Sequence, residues 1–181
     1  IYVTHDQEEA LTMSDRIAVM SNGRVEQVAP PKQVYEEPTT VFVADFLGVS
    51  NLMDAHARGV TGGGHCQVKA GDFDLRCARG DTSISGQTKI TIRPERVKLE
   101  KQGSSGENRV PGQVERSVYL GNAVQLIVRL ATGNVIQVLV QNGGEEIPFN
   151  PGDSVQAHLP PDALRVLLDT GAPLPSAEAA K

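Results

Sequence analysis

His5 is the residue of this sequence best placed to do chemistry. It follows the apolar residues 1–3 and Thr4, and an acidic stretch begins at Asp6. A histidine at the carboxyl end of a buried strand, just before a helix, lies where open α/β sheets bind their ligands. A neutral imidazole there can donate a hydrogen bond to a phosphate oxygen while a second partner fixes its orientation. His5 is therefore a candidate phosphate-contacting residue.

Two other sets of residues could carry different chemistry. His5 with Asp6 matches the pair of a metal-dependent phosphohydrolase, but that enzyme needs further histidines in helices, and the other three fall in strand-like or loop-like sequence. Cys66 and Cys77 could form a disulfide or, with His65, part of a metal site. Because neither CxxC nor HxxxH spacing is present, we expect two buried thiols and no metal ligands.

The elements that must position His5 lie in residues 1–47, which read as alternating helices and strands. Residues 1–3 are apolar without alternation, which predicts the end of a strand covered on both faces. Asp6 can cap the helix that follows. The dipeptide Asn22-Gly23 separates two β-rich runs and predicts a tight hairpin, since both residues tolerate positive φ.

Two short helices are predicted next, in residues 30–38 between prolines and in residues 39–48, where Gly48 ends the helix. After Gly48 the sequence is rich in Gly, Val and Thr. Residues 124–130 alternate apolar and polar side chains, which indicates a half-buried strand that turns into a second hairpin. This part therefore reads as a small all-β unit, closer to a barrel than to an open sheet.

A weak internal repeat supports two related β lobes. Residues 84–99 and 150–167 each contain a glycine, a β-rich run, a proline, an acidic residue and an apolar ending.

The stretch THDQEEALTMSDRIAVMSNGRVEQVAPPKQVYEEP strongly resembles the end of the ATP-binding subunit of an ATP-binding cassette (ABC) importer. Its segments match that family in order and spacing. Downstream, FVADFLGVSNLM resembles the linker of the sugar, polyamine and iron importers. ITIRPERVKL, SVYLGNAVQLIVRL and LPPDALRVL resemble segments of their C-terminal regulatory domain, the oligonucleotide-binding-like (OB-like) TOBE domain.

The resemblance implies a mainly β fold, in which an OB-like β-barrel regulatory domain follows an α/β remnant of an ABC nucleotide-binding domain. Residues 1–47 would be the incomplete end of that ATPase domain. Residues 48–169 would be the TOBE domain, and residues 170–181 a disordered tail.

The resemblance also assigns roles. His5 would be the switch histidine (H-loop) that contacts the γ-phosphate of ATP, with Mg²⁺ as the metal of the parent protein. Arg93 and Glu95 would make interdomain or subunit contacts, or else form a solvated pair beside a turn. Tyr119 and Gly121 would fix a turn.

The parent protein would be an ATPase that energises solute import, most similar to the polyamine (spermidine/putrescine) systems. Its partners would be a second copy of the subunit in a homodimer, the transmembrane permease subunits and, indirectly, a solute-binding protein. It would be cytoplasmic and peripheral on the inner face of the membrane. The phosphate-binding loop, the signature motif and the catalytic Glu do not occur in the sequence, so we expect this chain alone to bind no cofactor and to be inactive.

Composition limits the alternatives. Residues 48–181 carry equal numbers of acidic and basic side chains, and aromatic residues make up 4% of the chain, which argues against nucleic-acid binding. No apolar run is long enough to span a membrane. A free-standing OB-like module that binds an oxyanion or another small effector stays open, since backbone amides can bind anions without a side-chain signature.

Overall fold

The computed structural model describes residues 1–61, 63–144 and 148–168, and this part of the chain is mainly β. The helices are α1 (Gln7–Met13), α2 (Pro31–Glu36), α3 (Val41–Phe46) and the 3-10 helix η1 (Pro94–Arg96). The strands are β1 (Ile17–Ser21), β2 (Arg24–Ala29), β3 (Asn51–Thr61), β4 (His65–Ala70), β5 (Phe73–Cys77), β6 (Arg79–Gly80), β7 (Ser85–Ile92), β8 (Lys98–Lys101), β9 (Arg109–Tyr119), β10 (Ala123–Leu130), β11 (Val135–Gln141), β12 (Ser154–His158) and β13 (Arg165–Leu167).

The helical part, residues 1–47, contains the predicted hairpin and the two predicted short helices. Asn22 and Gly23 have φ values of 49° and 73°, and they join β1 to β2 in an antiparallel pair. Thr40 caps α3 by accepting from the Val43 N–H at 3.3 Å. A separate small core holds these elements together, made of Ile17, Val19, Ala29, Val34, Phe42, Val43 and Leu47.

The prediction of a strand at residues 1–3 is wrong. These residues are exposed and lie outside any strand, and the chain becomes regular only at α1. Asp6 does cap α1, accepting from the Glu8 and Glu9 N–H groups at 2.8 and 3.1 Å. The physical reason is that a strand needs a neighbour to pair its backbone groups, and the described sheets offer none to this segment.

The β part consists of two lobes that share the same five-strand topology, to which the first lobe adds β6. The first sheet has the order β5-β4-β3-β7-β13-β6, and the second has the order β11-β10-β9-β12-β8. In each lobe an 11-residue strand (β3 or β9) begins a three-strand meander, and a fourth strand (β7 or β12) pairs with its other edge. The fold class is mainly β with an OB-like unit, as predicted.

The last strand of each repeat crosses to the other lobe. β8 follows β7 along the chain but pairs with β12, and β13 follows β12 but pairs with β7. The weak sequence repeat corresponds to these two units, since residues 84–99 contain β7, η1 and the start of β8, and residues 150–167 contain β12 and β13. Neither lobe therefore completes its sheet without the other.

Two buried asparagines bridge the lobes in equivalent positions. Asn51, at the start of β3, donates from Nδ2 to the Gln137 carbonyl and accepts at Oδ1 from the Gln137 N–H, both at 2.7 Å. Asn108, just before β9, makes the same pair of 2.7 Å bonds to the backbone of Arg76 and a third, at 2.8 Å, to the Leu159 carbonyl. Each side-chain amide thus acts as an extra peptide group beside the third strand of the opposite lobe.

The main core is one contiguous apolar cluster that draws on both sheets. Among its fully buried side chains are Met53, Leu75, Ile90, Ile92, Leu126, Ile136, Leu159 and Leu164. The alternation predicted for residues 124–130 is observed, since Val124, Leu126, Val128 and Leu130 face this core. The predicted disordered tail, residues 170–181, lies outside the described residues. No helix in the described part of the chain is long and apolar enough to cross a membrane.

Replacing Asn108 by alanine should lower the free energy of unfolding by roughly 3 kcal/mol, because three backbone groups, of which the Leu159 carbonyl is buried and the two of Arg76 are partly buried, lose their partner. Asn108 also has a φ of 52°, which asparagine tolerates better than alanine. Urea unfolding followed by circular dichroism measures the change. Asn122→Ala, at an exposed loop position, is the matched control and should change stability by less than about 0.5 kcal/mol. Equal effects of the two substitutions would contradict the bridging role.

Candidate functional site

The side chain of Arg93 is buried, with 8% of the residue exposed, where the helical part meets the first β lobe. Its Nη2 and Nε atoms donate to the Tyr35 carbonyl at 2.7 and 3.2 Å. Its Nη1 donates to Ser50 Oγ at 2.5 Å and to the Val49 and Ala44 carbonyls at 3.3 and 3.4 Å. The guanidinium also stacks on the Tyr35 ring, 4.0 Å from the ring centroid.

The acceptors explain how a charge can be buried here. Tyr35 and Ala44 lie in the last turns of α2 and α3, where carbonyl groups lack intrahelical partners and the helix dipole favours a positive charge. Arg93 supplies donors to both helix ends at once. Burial lowers the pKa of the Arg93 guanidinium, but an arginine starts high enough to stay charged at neutral pH.

Glu95 meets the same tyrosine from the other side. The Tyr35 hydroxyl donates to Glu95 Oε1 at 3.2 Å, so Arg93 holds the backbone and ring of Tyr35 while Glu95 accepts from its hydroxyl. Pro94 between them begins η1, which directs the two side chains to the same residue. Arg93 is thus not a solvated charge, whereas Glu95 is exposed. Tyr35 was not predicted as a site residue from the sequence. The segment VYEEP, which matches the family and contains Tyr35, is the signal that could have identified it.

Gly48 connects this contact to the start of α1. Its N–H donates to Gln7 Oε1 at 2.6 Å, and Gln7 is the first residue of α1, two positions after His5. Gly48 has a φ of 75°, and a Cβ there would lie 2.9 Å from Tyr35 Cε2. We call Gln7, Tyr35, Gly48, Arg93 and Glu95 the junction.

His5 lies exposed immediately before Asp6, which caps α1. Among the residues that the structure describes, no hydrogen-bond partner orients its imidazole. The fold therefore links His5 to the junction through the first turn of α1, and the described residues form no hydrogen bond that holds another phosphate-binding group beside it. The role of His5 stays a prediction.

Tyr119 is the last residue of β9, with 71% of it exposed, and Gly121 lies in the loop between β9 and β10. Gly121 has a φ of 86°. The Asn142 side chain donates to the Tyr119 hydroxyl at 3.1 Å and to the Gly121 carbonyl at 2.9 Å. The partners of both residues thus belong to this turn and to Asn142, not to the junction.

Cys66 and Cys77 face each other in register across β4 and β5, both fully buried and both free thiols. Burial raises the pKa of the Cys77 thiol far above its ordinary value, so this sulfur stays protonated and unreactive. Within residues 1–61, 63–144 and 148–168, no three ligating side chains come together to hold a metal ion.

Comparison with known proteins gives consistent matches. Residues 90–167 match the TOBE domain family. The chain is 40% identical over 158 residues to the spermidine/putrescine import ATP-binding protein PotA of Rubrobacter xylanophilus, covering 86% of this chain and 41% of that protein. It is 41% identical over 170 residues to PotA 1 of Pseudomonas aeruginosa, covering 93% of this chain and 45% of that protein. The chain thus spans less than half the length of these relatives.

Among solved structures, the chain resembles the cytoplasmic molybdate-binding protein ModG with a TM-score of 0.54. The match covers 65% of this chain and 95% of that one at 16% sequence identity. A likeness at that identity concerns the fold alone.

Arg93→Lys should lower the free energy of unfolding by roughly 2 kcal/mol, because one ammonium cannot replace a planar group that bonds several acceptors and stacks on a ring. Hydrogen exchange should accelerate in α2 and α3 more than in the β lobes. Arg96→Lys is the matched control, since Arg96 is exposed and makes only a 3.6 Å ion pair with Asp162. Uniform acceleration in both variants would contradict a local role for Arg93.

Gly48→Ala should destabilise the chain more than Gly23→Ala. Both positions have φ near 75°, which costs alanine roughly 1–2 kcal/mol. Only Gly48 adds a close contact, with a tyrosine ring that Arg93 holds in place, while a Cβ at Gly23 meets nothing within 4 Å. The difference between the two urea midpoints therefore measures the contact at the junction. Equal midpoints would show that Tyr35 moves aside freely.

Proposed function

We propose that this chain is the region of an ABC importer's ATP-binding subunit that contains the TOBE domain, and that the intact subunit is an ATPase that energises import of polyamines of the spermidine/putrescine type. The observation that carries this proposal is the continuous similarity, about 40% identity across 86% or more of the chain, to relatives named for that import.

The proposal divides the chain between residues 47 and 48. Residues 1–47 are the end of the ATP-binding domain, and residues from 48 onward, described as far as 168, are a regulatory domain. The separate cores of the two parts support this division. The junction is then the place where the regulatory domain holds the ATP-binding domain.

ATP is the substrate and Mg²⁺ the metal in this proposal, and the metal neutralises the developing phosphate charge when bound. His5 would donate a hydrogen bond to the γ-phosphate and help position the attacking water. Its exposure suits this role, because the imidazole is free to meet a ligand, while Asp6 is occupied as the helix cap. Phosphoryl transfer needs several positioned groups, so the 181-residue chain alone should not hydrolyse ATP.

The partners follow from the same proposal. A second copy of the subunit would complete the nucleotide sites, the transmembrane permease would receive the conformational change, and a solute-binding protein would act through the permease. The subunit would work at the cytoplasmic face of the membrane. Arg93 and Glu95 would maintain the contact between the two domains of one subunit.

The test uses the intact subunit reconstituted with its permease in proteoliposomes. His5→Ala should reduce both ATP hydrolysis and spermidine uptake about 100-fold, the usual loss for one group that stabilises transition-state charge, while ATP binding persists. His56→Ala, at an exposed position on β3, is the matched control and should leave both rates unchanged. Full hydrolysis in His5→Ala would reject the role of His5. Uptake of spermidine and putrescine that persists without the subunit would reject the solute assignment.

A further inference from the structure

A cavity of about 260 Å³ lies beside the junction, between the carboxyl end of α2 and the first β lobe. Its walls carry charges of both signs. Glu36 and Glu37 come from the end of α2, whereas Arg79 and Arg165 come from β6 and β13. The cavity therefore lies between the helical part and the β part of the chain.

The two arginines are held side by side by the backbone. β6 and β13 pair in parallel with Arg79 opposite Arg165. The close approach requires glycine at position 80, where a Cβ would lie 1.9 Å from the Val166 carbonyl oxygen. Like charges opposite each other on neighbouring strands repel, so this arrangement is unfavourable without a counter-charge.

The counter-charge is not in direct contact. Among the described residues, neither Arg79 nor Arg165 has a carboxylate within 4.0 Å, and the Arg79 Nε donates to a carbonyl, that of Asp162, at 3.2 Å. Burial lowers the pKa of the Arg165 guanidinium, Arg79 lowers it further, and Glu37 opposes both effects. Glu37 is thus near enough to act on Arg165 through space but too far to pair with it.

The remaining charges of the cavity already have partners. Glu95 accepts from Tyr35, Arg96 pairs with Asp162, and Arg93 is bound to backbone carbonyls. The carboxylates of Glu36, at the end of α2, and of Glu37, its C-cap, therefore line the cavity together with two guanidinium groups of the β lobe. In the described part of the chain, Glu36 and Glu37 have no ion-pair partner either.

We propose that this cavity binds a small zwitterion, with its carboxylate on Arg79 and Arg165 and its ammonium group near Glu36 and Glu37. The forked guanidinium group matches a carboxylate in geometry as well as charge. A zwitterion brings an opposite charge to each wall of the cavity. A simple anion would be repelled by the two carboxylates, and a diamine would be repelled by the two guanidinium groups. The volume lies just below that of drug-sized pockets, which suits a molecule of amino-acid size.

Binding would join α2 to the β lobe next to Tyr35 and Arg93. The ligand would therefore stabilise the attachment of the helical part and act as an effector of the junction. This inference concerns the chain itself and does not depend on which solute is transported.

The experiment titrates the 181-residue chain with ω-amino acids of increasing length, from glycine to 6-aminohexanoate, because the distance between the charged walls selects one length. Amide chemical-shift changes should be confined to the end of α2, β6 and β13, and thermal stability should rise with ligand concentration. For the best length, the matched alkyl carboxylate and alkylamine should bind at least tenfold more weakly.

Arg165→Gln and Glu37→Gln should each weaken binding at least tenfold. Arg58→Gln, which removes an exposed ion pair with Asp74 elsewhere on the first lobe, is the control and should change nothing. Binding of the matched diamine as tightly as the amino acid, or of the carboxylate alone, would overturn the proposal in favour of a single charged wall. Absence of local shifts at about 10 mM of every length would also overturn it.

Discussion

The buried guanidinium of Arg93 is the interaction on which the relation between the two parts of this protein depends. A buried charge is costly unless hydrogen bonds replace its water. Here the replacement comes from the carboxyl ends of two short helices, through the carbonyl groups of Tyr35 and Ala44, and from the linker at Ser50. The helices gain partners for their last carbonyls, and the arginine gains a site for its charge. Each side therefore satisfies a requirement of the other.

Within the β part, the two lobes likewise supply groups to each other. The last strands of its two repeats, β8 and β13, each complete the sheet of the other lobe. Asn51 and Asn108 add side-chain amides to the third strands of the opposite lobes. Because every lobe depends on groups from its counterpart, the two repeats form one cooperative unit. From that unit Arg93 and Glu95 project towards Tyr35 of α2.

This arrangement also connects His5 to the junction. His5 precedes α1, the side chain of Gln7 accepts from the Gly48 N–H, and Gly48 packs against Tyr35. Two consecutive contacts, of Gln7 with Gly48 and of Gly48 with Tyr35, therefore connect the helix that follows the proposed phosphate-contacting residue with the junction. The charged cavity lies at the same place, so a ligand there would act on the contact that holds the two parts together. The same few residues would then serve both attachment and regulation.

The sequence by itself determined the local features and the resemblance to a family. The hairpin at Asn22-Gly23, the helix end at Gly48 and the alternating strand at residues 124–130 follow from backbone freedom and periodicity, and these predictions are confirmed. The strand at residues 1–3 failed because pairing depends on a neighbour that its own pattern does not encode. The resemblance to ABC importer subunits rests on motifs in a fixed order, which can be read without a structure.

Only the tertiary structure decided which distant residues meet. Arg93 contacts residues 43 to 58 positions away, and Asn51 bonds to a strand 86 positions away. Arg79 lies opposite Arg165 because β6 and β13 pair in parallel, and no local sequence pattern predicts this pairing. Propensity and periodicity act over a few residues, whereas these contacts arise from the way the lobes exchange strands. The sequence therefore indicated which residues could carry chemistry, and the packing of the two parts decided which of these residues lie close together.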